Sequence, residues 1–382
     1  MSTSLWVLDE TERADASDLL KELIRRQSPD PPGNEKAVAI YLSDWFRRRG
    51  FDVDIDEFQP ERINLITRIA GGTKPSLIFS AHMDTMPIGD NPWIHDPFGA
   101  EELNGKVYGR GAADMKSGLA AMAIIASKIK KSGHPLAGDL ILALSAGESS
   151  NCLGAERMVE RGDLIDAGAI LVSEPSSLEL IIAEKGALWL DITATGKAGH
   201  ASGKDSENAI LKLVNLFAAL QNNPFASHSH PLLGKASLSM NTIKGGNAIN
   251  MTPDSATATM DIRTIPGMAA EKLIRKLKKI AGPGFKFDIR DNKPPVVIDK
   301  DDPFISICQD AILSVRREMK PPGGVTYFSD SCILVPALNV PRAIIGPGNL
   351  GMSGQCDECV NLLDIYTAAS IFGEIAMTYL KD

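Results

Sequence analysis

At 382 residues, with 44% hydrophobic and 23% charged side chains, the chain has room for about two to three ordinary domains and a core that needs neither disulfide nor cofactor to hold it. A formal net charge of −8, with no run of Lys and Arg, excludes the electrostatic footprint of a nucleic-acid binder. The opening residues MSTSLWVLDETERADASDLLKELIRR mix acids and bases without an apolar core, so neither a signal peptide nor a membrane anchor is expected there.

In chain order, residues 15–50 predict an amphipathic helix, a Pro/Gly break (SPDPPGNE) and a second helix ending at Gly50. NLITRIAG and PSLIFSAH predict two strands, the second almost wholly apolar as a buried strand is. A loop rich in Pro, Gly and Asp leads to GRGAADMKSG, and GLAAMAIIASKIKKSG then predicts a helix with small residues on its packing face. DLILALSAGE and AILVSEP are further buried strands. Alternation of strand and helix indicates an α/β layer with a mainly parallel sheet. Near Glu184 the character changes. LWLDITATGKAG, ENAILKLVNLFAALQNN, ASLSMNTIKGG, ATATMDIRTIPG, AAEKLIRKLKKIAG and FKFDIRDN follow as β-α-β-β-α-β, the order of a small ferredoxin-like antiparallel sheet with helices on one side. From about Pro303 the pattern returns to α/β, with LNVPRAIIGPGN as its strand. The expected organisation is a discontinuous catalytic domain, residues 1–184 and 295–382, with an α+β domain of residues 185–294 inserted into it.

Five cysteines (Cys152, Cys308, Cys332, Cys356 and Cys359) are odd in number and scattered, which fits reduced thiols and a cytoplasmic location better than a disulfide framework. Cys356 and Cys359 form a lone C-x-x-C with no second pair to complete a structural zinc site.

The residues suited to chemistry gather at expected strand ends. In AHMDT, His82 and Asp84 lie two apart, so both leave one face of an extended segment, and one can bind a metal while the other orients it. Asp114 precedes a helix, Glu148 ends DLILALSAGE and Glu174 ends AILVSEP. Open α/β sheets collect ligands at the carboxyl ends of their strands. Acids crowded there would repel one another without a cation, so a metal is the economical explanation.

The segments SAHMDTMP, VYGRGAADMKSGLAA, SAGESSNCLGA, SEP, GKAGHAS, GGNAINMTPDSATATMDIR, FSD and GPG…DECV stand in the order seen in M20 metallohydrolases, which the chain resembles from about residue 15 to its end. The resemblance implies a catalytic domain with an inserted lid or dimerisation domain, and hence a homodimer. It makes His82 a metal ligand supported by Asp84, Asp114 a ligand that would bridge two metals, Glu174 the remaining ligand on the side of His82, and Glu148 the general base. It makes His200 the lid histidine that polarises the scissile carbonyl from the partner subunit, and gives Asn250 and Arg263 to the substrate, the arginine gripping a carboxylate.

One departure is informative. Family spacing puts the second metal's glutamate at position 149 and its histidine at 354, where this chain has Ser149 and Gly354. The six histidines are His82, His95, His134, His200, His228 and His230, so none can serve from the C-terminal region. The remaining set of one imidazole and two carboxylates predicts one divalent transition metal per chain, Zn²⁺, Mn²⁺ or Co²⁺, with a position left for water. Two alternatives stay open: a shifted alignment that makes Glu148 a ligand, and replacement of the histidine by Cys356, Asp357 or Gln355. Trp93, His95 and Phe98 are expected to order a loop over the site, while His134, His228 and His230 read as surface residues.

The expected function is metal-dependent hydrolysis of a C–N bond in a small carboxylate-bearing substrate such as an N-acyl amino acid. Hydrolytic deamination of an aromatic amine such as a nitroanthranilate is the runner-up. A lapsed homologue that only binds a small molecule comes third, and Glu148, His200 and Arg263 count against it because a pure binder needs no base.

Overall fold

A computed structural model describes residues 5–222, 225 and 229–381. They form two compact units. One comprises the chain up to Ile182, Ile298–Gly323 and the stretch from Ser329, and the other Ala183–Val297 with Gly324–Phe328. The expected His228 lies outside the described residues.

The first unit is built on a mixed sheet whose strands run, in spatial order, Val53–Gln59, Arg62–Ile69, Gly138–Ser145, Lys74–His82, Ala167–Val172 and Arg342–Ile344. The pairings from Gly138–Ser145 through Arg342–Ile344 are parallel, and those at the Val53 side are antiparallel. Leu77, Ile78, Phe79, Leu140, Leu142, Leu144, Ile170 and Leu171 are buried, as strands covered on both faces must be. Helix Lys116–Ser132 shows why the small-residue run GLAAMA reads as it does: Gly118 to Ala123 are all buried, so little of that surface meets water. Helix Glu10–Arg25 begins with a capping box between Asp9 and Glu12.

One strand escapes the sequence pattern. VDIDEFQ forms strand Val53–Gln59, joined to Arg62–Ile69 by a tight turn in which Glu61 has φ 64°. Its three acids disguise it as a surface loop, yet Asp54 and Glu57 are exposed at the sheet edge while Asp56 is partly buried and pairs with Arg157, and the ladder is irregular between Glu57 and Gln59.

The second unit is an antiparallel sheet in the order Ser237–Gly245, Ser255–Thr264, Gly186–Thr195 and Phe285–Lys293. Helices Ala209–Leu220 and Ala270–Ala281 supply Leu213, Leu216, Leu273 and Leu277 to a core shared with Leu190, Ile192, Met260 and Ile262 of the strands. No helix among the described residues is long and apolar enough to cross a membrane.

Candidate metal centre

Three neighbouring parallel strands end at the site. His82 is the last residue of Lys74–His82, Glu148 follows Gly138–Ser145 after a two-residue turn, and Glu174 stands two residues beyond Ala167–Val172. Asp114 comes from the loop just before helix Lys116–Ser132. The four side chains meet. His82 Nε2 lies 3.2 Å from Asp114 Oδ1 and 3.5 Å from Glu174 Oε1. Ligands held about 2.1 Å from a tetrahedral ion are separated by about 3.4 Å, so these spacings fit one cation. His82, Glu148 and Glu174 also present ligand atoms within 4.8 Å of one another, so geometry keeps Glu148 within reach of the same ion.

The electrostatics point the same way. Burial alone would lower the His82 pKa, but Asp84, the hydrogen bond to Asp114 and the charge of Glu174 outweigh it and hold the imidazole well above its ordinary value. Burial drives Glu148 and Glu174 well upward, with carboxylate neighbours adding to it. Asp114 goes down in spite of burial because His82 and Ser353 donate to it. Buried acids whose charged forms are disfavoured by desolvation and by one another are the kind of group that a divalent cation would satisfy.

Asp84 is fully buried, and its role differs from a simple carboxylate–imidazole pair. His82 Nδ1 points at the Asp84 main-chain carbonyl, 3.0 Å away, while the nearer carboxylate oxygen is at 3.6 Å. A carbonyl only accepts, so Nδ1 carries a hydrogen, and without a cation Nε2 carries one too and donates it to Asp114; a bound metal would take the place of that proton. The Asp84 carboxylate instead accepts the main-chain N–H groups of Glu148 at 3.1 Å and Ser149 at 3.0 Å.

The positions where the resemblance expects a second ion's ligands hold Ser149 and Gly354, neither of which offers a carboxylate or an imidazole. The outer oxygen of Asp114 accepts the Ser353 hydroxyl. Gly354 adopts φ +74°, and a Cβ there would fall 2.9 Å from Met86 Sδ. Of the suggested substitutes, Asp357 Oδ1 accepts the N–H groups of Ile94 and His95, and the Cys356 thiol faces the Asn91 carbonyl. Gln355 gives its main-chain carbonyl to Arg110. His95 stacks on Tyr108 at 3.9 Å and pairs with Glu101, and Trp93 lies under the Arg110 guanidinium, so this loop is tied down by its own aromatic residues.

In the second unit, exposed His200 holds Ser202 Oγ at 2.8 Å and pairs across a two-residue ladder with Met251. With Asn250 it lines an open depression of about 390 Å³. Arg263 is engaged by Asp261 at 3.0 Å and lies over the Phe328 ring. His134 is exposed against Trp6, and His230 accepts the Leu232 N–H.

Several supporting residues carry no role in the sequence reading. Glu358, buried, accepts the N–H groups of Ala113 and Asp114 through one oxygen and Arg110 through the other, which fixes the loop that presents Asp114. Asp330, also buried, accepts from Ser145 and is pushed up to about 6 by burial. Asp30, Glu35 and Arg62 form a buried ionic cluster behind Asp84. FSD was the visible trace of Asp330. Asp30 is hidden in a Pro-rich break that has the composition of any turn.

Residues 78–378 match the family described as Peptidase family M20/M25/M40. A probable succinyl-diaminopimelate desuccinylase of Staphylococcus aureus is 28% identical over 411 residues, covering 95% of this chain and 97% of that protein. The fold is similar to that of a tripeptidase from Staphylococcus aureus, with a TM-score of 0.79 at 20% identity over 97% of this chain and 99% of that one. It is also similar to a dinuclear metal-binding M20 peptidase from Bacillus subtilis, with a TM-score of 0.75 at 16% identity over 98% and 99%.

Proposed function

Because the chain belongs to peptidase family M20/M25/M40 and is a metal-dependent amidohydrolase acting on C–N bonds, we propose that it cleaves the amide of a small carboxylate-bearing substrate such as an N-acyl amino acid. The observation that carries this reading is the convergence of His82, Asp114 and Glu174 at ion-sized spacings with the Glu148 carboxylate beside them. Desuccinylase-named relatives that align over almost the whole chain support the amide and carboxylate character of the substrate.

We assign one divalent transition metal, Zn²⁺, Mn²⁺ or Co²⁺, to His82, Asp114 and Glu174. When bound, it supplies Lewis acidity, making a water more acidic and polarising the scissile carbonyl. Glu148 takes a proton from that water and delivers it to the leaving nitrogen, so amide and water become carboxylate and amine. Asp84 fixes the His82 ring through its carbonyl and the Glu148 turn through its carboxylate. His200 is assigned to carbonyl polarisation, and Asn250 and Arg263 to substrate recognition, as the resemblance implies.

A homodimer is part of the proposal. The second unit leaves strand Ser237–Gly245 at a sheet edge, and Leu211 and Val214 of helix Ala209–Leu220 are half exposed, an apolar and unpaired surface of the kind that self-association covers. Sedimentation giving a monomer at micromolar concentration would remove it.

The test of the activity is a panel of N-acyl amino acids and aromatic amines assayed with each metal in turn. Turnover of acylated amino acids is expected. Turnover of the aromatic amines alone would replace amide hydrolysis by ring deamination.

A further inference from the structure

The turn that carries Glu148 is held from behind by a buried ion pair, Asp30 and Arg62, that lies outside the set of His82, Asp114 and Glu174. Asp30 is 1% exposed and Arg62 7%. Arg62 Nη2 donates to Asp30 Oδ1 at 2.6 Å, and Arg62 Nη1 reaches Asp30 Oδ2 at 3.4 Å. The same carboxylate accepts the Ser150 N–H at 3.0 Å and the Ser150 hydroxyl at 2.5 Å. Together with the bonds from Glu148 and Ser149 to Asp84, three consecutive main-chain N–H groups are therefore spoken for by two buried carboxylates.

The packing leaves the guanidinium no other place. A Cβ on Gly33 or on Gly147 would collide with it, so the Arg62 head is wedged between the Pro-rich break and the residue immediately before Glu148. Arg62 also donates to the Pro32 carbonyl. Asp30 is anchored in turn, its N–H bonding to the Thr85 carbonyl, one residue past Asp84. From the same strand as Arg62, Asn64 accepts the Ala146 N–H and donates to the Gly154 carbonyl, closing the two ends of the turn.

From this geometry, and resting on the reading of Glu148 as the base, we propose that Asp30 and Arg62 are a positioning pair for Glu148. They fix the Gly147–Ser150 turn so that the carboxylate stands where it can take the proton from the attacking water. Neither is a catalytic residue. A displacement of about 1 Å at a reacting group costs on the order of 100-fold in rate, and loss of an outer hydrogen-bonding partner typically costs about 10- to 100-fold.

The experiment is a double-mutant cycle on the metal-loaded full chain. Asp30→Asn keeps shape and removes charge, Ser150→Ala removes only the hydroxyl bond, and Arg62→Lys is compared with Arg62→Ala. Each is measured alone and in the Glu148→Gln background. The expected result is a fall in kcat of about 10- to 100-fold for Asp30→Asn, with KM within about twofold and metal per chain unchanged. Ser150→Ala should be milder, and Arg62→Lys should retain more activity than Arg62→Ala. In the Glu148→Gln background Asp30→Asn should change the residual rate by less than about twofold, because the group it positions is gone. A purely structural pair would act additively with Glu148→Gln and lower metal content or raise KM, and that result overturns the proposal. So does wild-type kcat in Asp30→Asn. If Glu148→Gln itself stayed active, the base assignment would fall first and this inference with it, and the two failures are told apart by that single variant.

Discussion

The Oδ1 atom of Asp84 accepts the main-chain N–H of Glu148 at 3.1 Å, so the loop after one sheet strand is tied to the loop after its neighbour at the point where the chemistry is proposed. The same aspartate uses its carbonyl to fix the ring of His82. One buried residue therefore sets both the direction of a metal ligand and the location of the proposed base.

That arrangement makes Glu148→Gln a clean test, since the backbone bond to Asp84 survives the change. Turnover is expected to fall by about two to four orders of magnitude, with metal content near that of the wild type by elemental analysis. Loss of metal in parallel with activity would make Glu148 a ligand instead, the alternative that its place within 4.8 Å of His82 and Glu174 leaves open.

Metal stoichiometry is the second prediction. Ser149 and Gly354 offer neither carboxylate nor imidazole, Ser353 donates to the outer oxygen of Asp114, and Gly354 sits at φ +74°, a conformation that disfavours a side chain there. One ion per chain is expected after dialysis. Two tightly held ions per chain, or an ion pair bridged by Asp114 in a crystal, would end the single-metal assignment.

The fold class was legible because the buried strands PSLIFSAH and DLILALSAGE are apolar enough to declare themselves and alternate with helices. The meeting of His82, Asp114, Glu148 and Glu174 was legible because each terminates such a strand or opens the helix beside it. Strand Val53–Gln59 was not, because at an edge the three acids of VDIDEFQ match Val53, Ile55 and Phe58 in number and dilute their signal. The supports were hidden for a different reason. Asp30 and Arg62 are 32 residues apart in sequence, and Arg110 reaches Glu358 across 248 residues, so no local pattern marks either pair. The Asp84 carbonyl acting on His82 is a main-chain interaction, which residue identity does not encode.

Metal removal is the third prediction. Burial and mutual repulsion push Glu148 and Glu174 well up without a cation, so binding must displace protons, and affinity should rise with pH. Adding metal to chelated protein in weak buffer is expected to acidify the solution. The folded state gains about 4 kcal/mol when free metal exceeds Kd by about 1,000-fold, and Tm should drop by about 5 °C on chelation. His82→Ala should abolish both responses. A chelator shift that persists in His82→Ala would mean the stabilising ion sits elsewhere.

Glu35 supplies the last prediction. It is fully buried, neither carboxyl oxygen is hydrogen-bonded, and the nearest cation is Arg62 Nη1 at 3.6 Å. Burial first, and then the charge of Asp84, lift its pKa from 4.5 to about 7. An acid raised in this way holds its proton more tightly in the folded chain than in the unfolded one. Its contribution therefore favours folding at low pH and is lost as pH climbs from 4.5 toward about 7. The whole loss corresponds to about 3 kcal/mol. Glu35→Gln cannot ionise and escapes that loss, so urea unfolding should show the variant gaining on the wild type as pH rises from about 5 to about 8. The difference should level off above about 8, once the wild-type carboxyl is ionised in both states. A difference that stays flat across this range would show that Glu35 is already ionised in the folded protein at the lower pH, held there by Arg62.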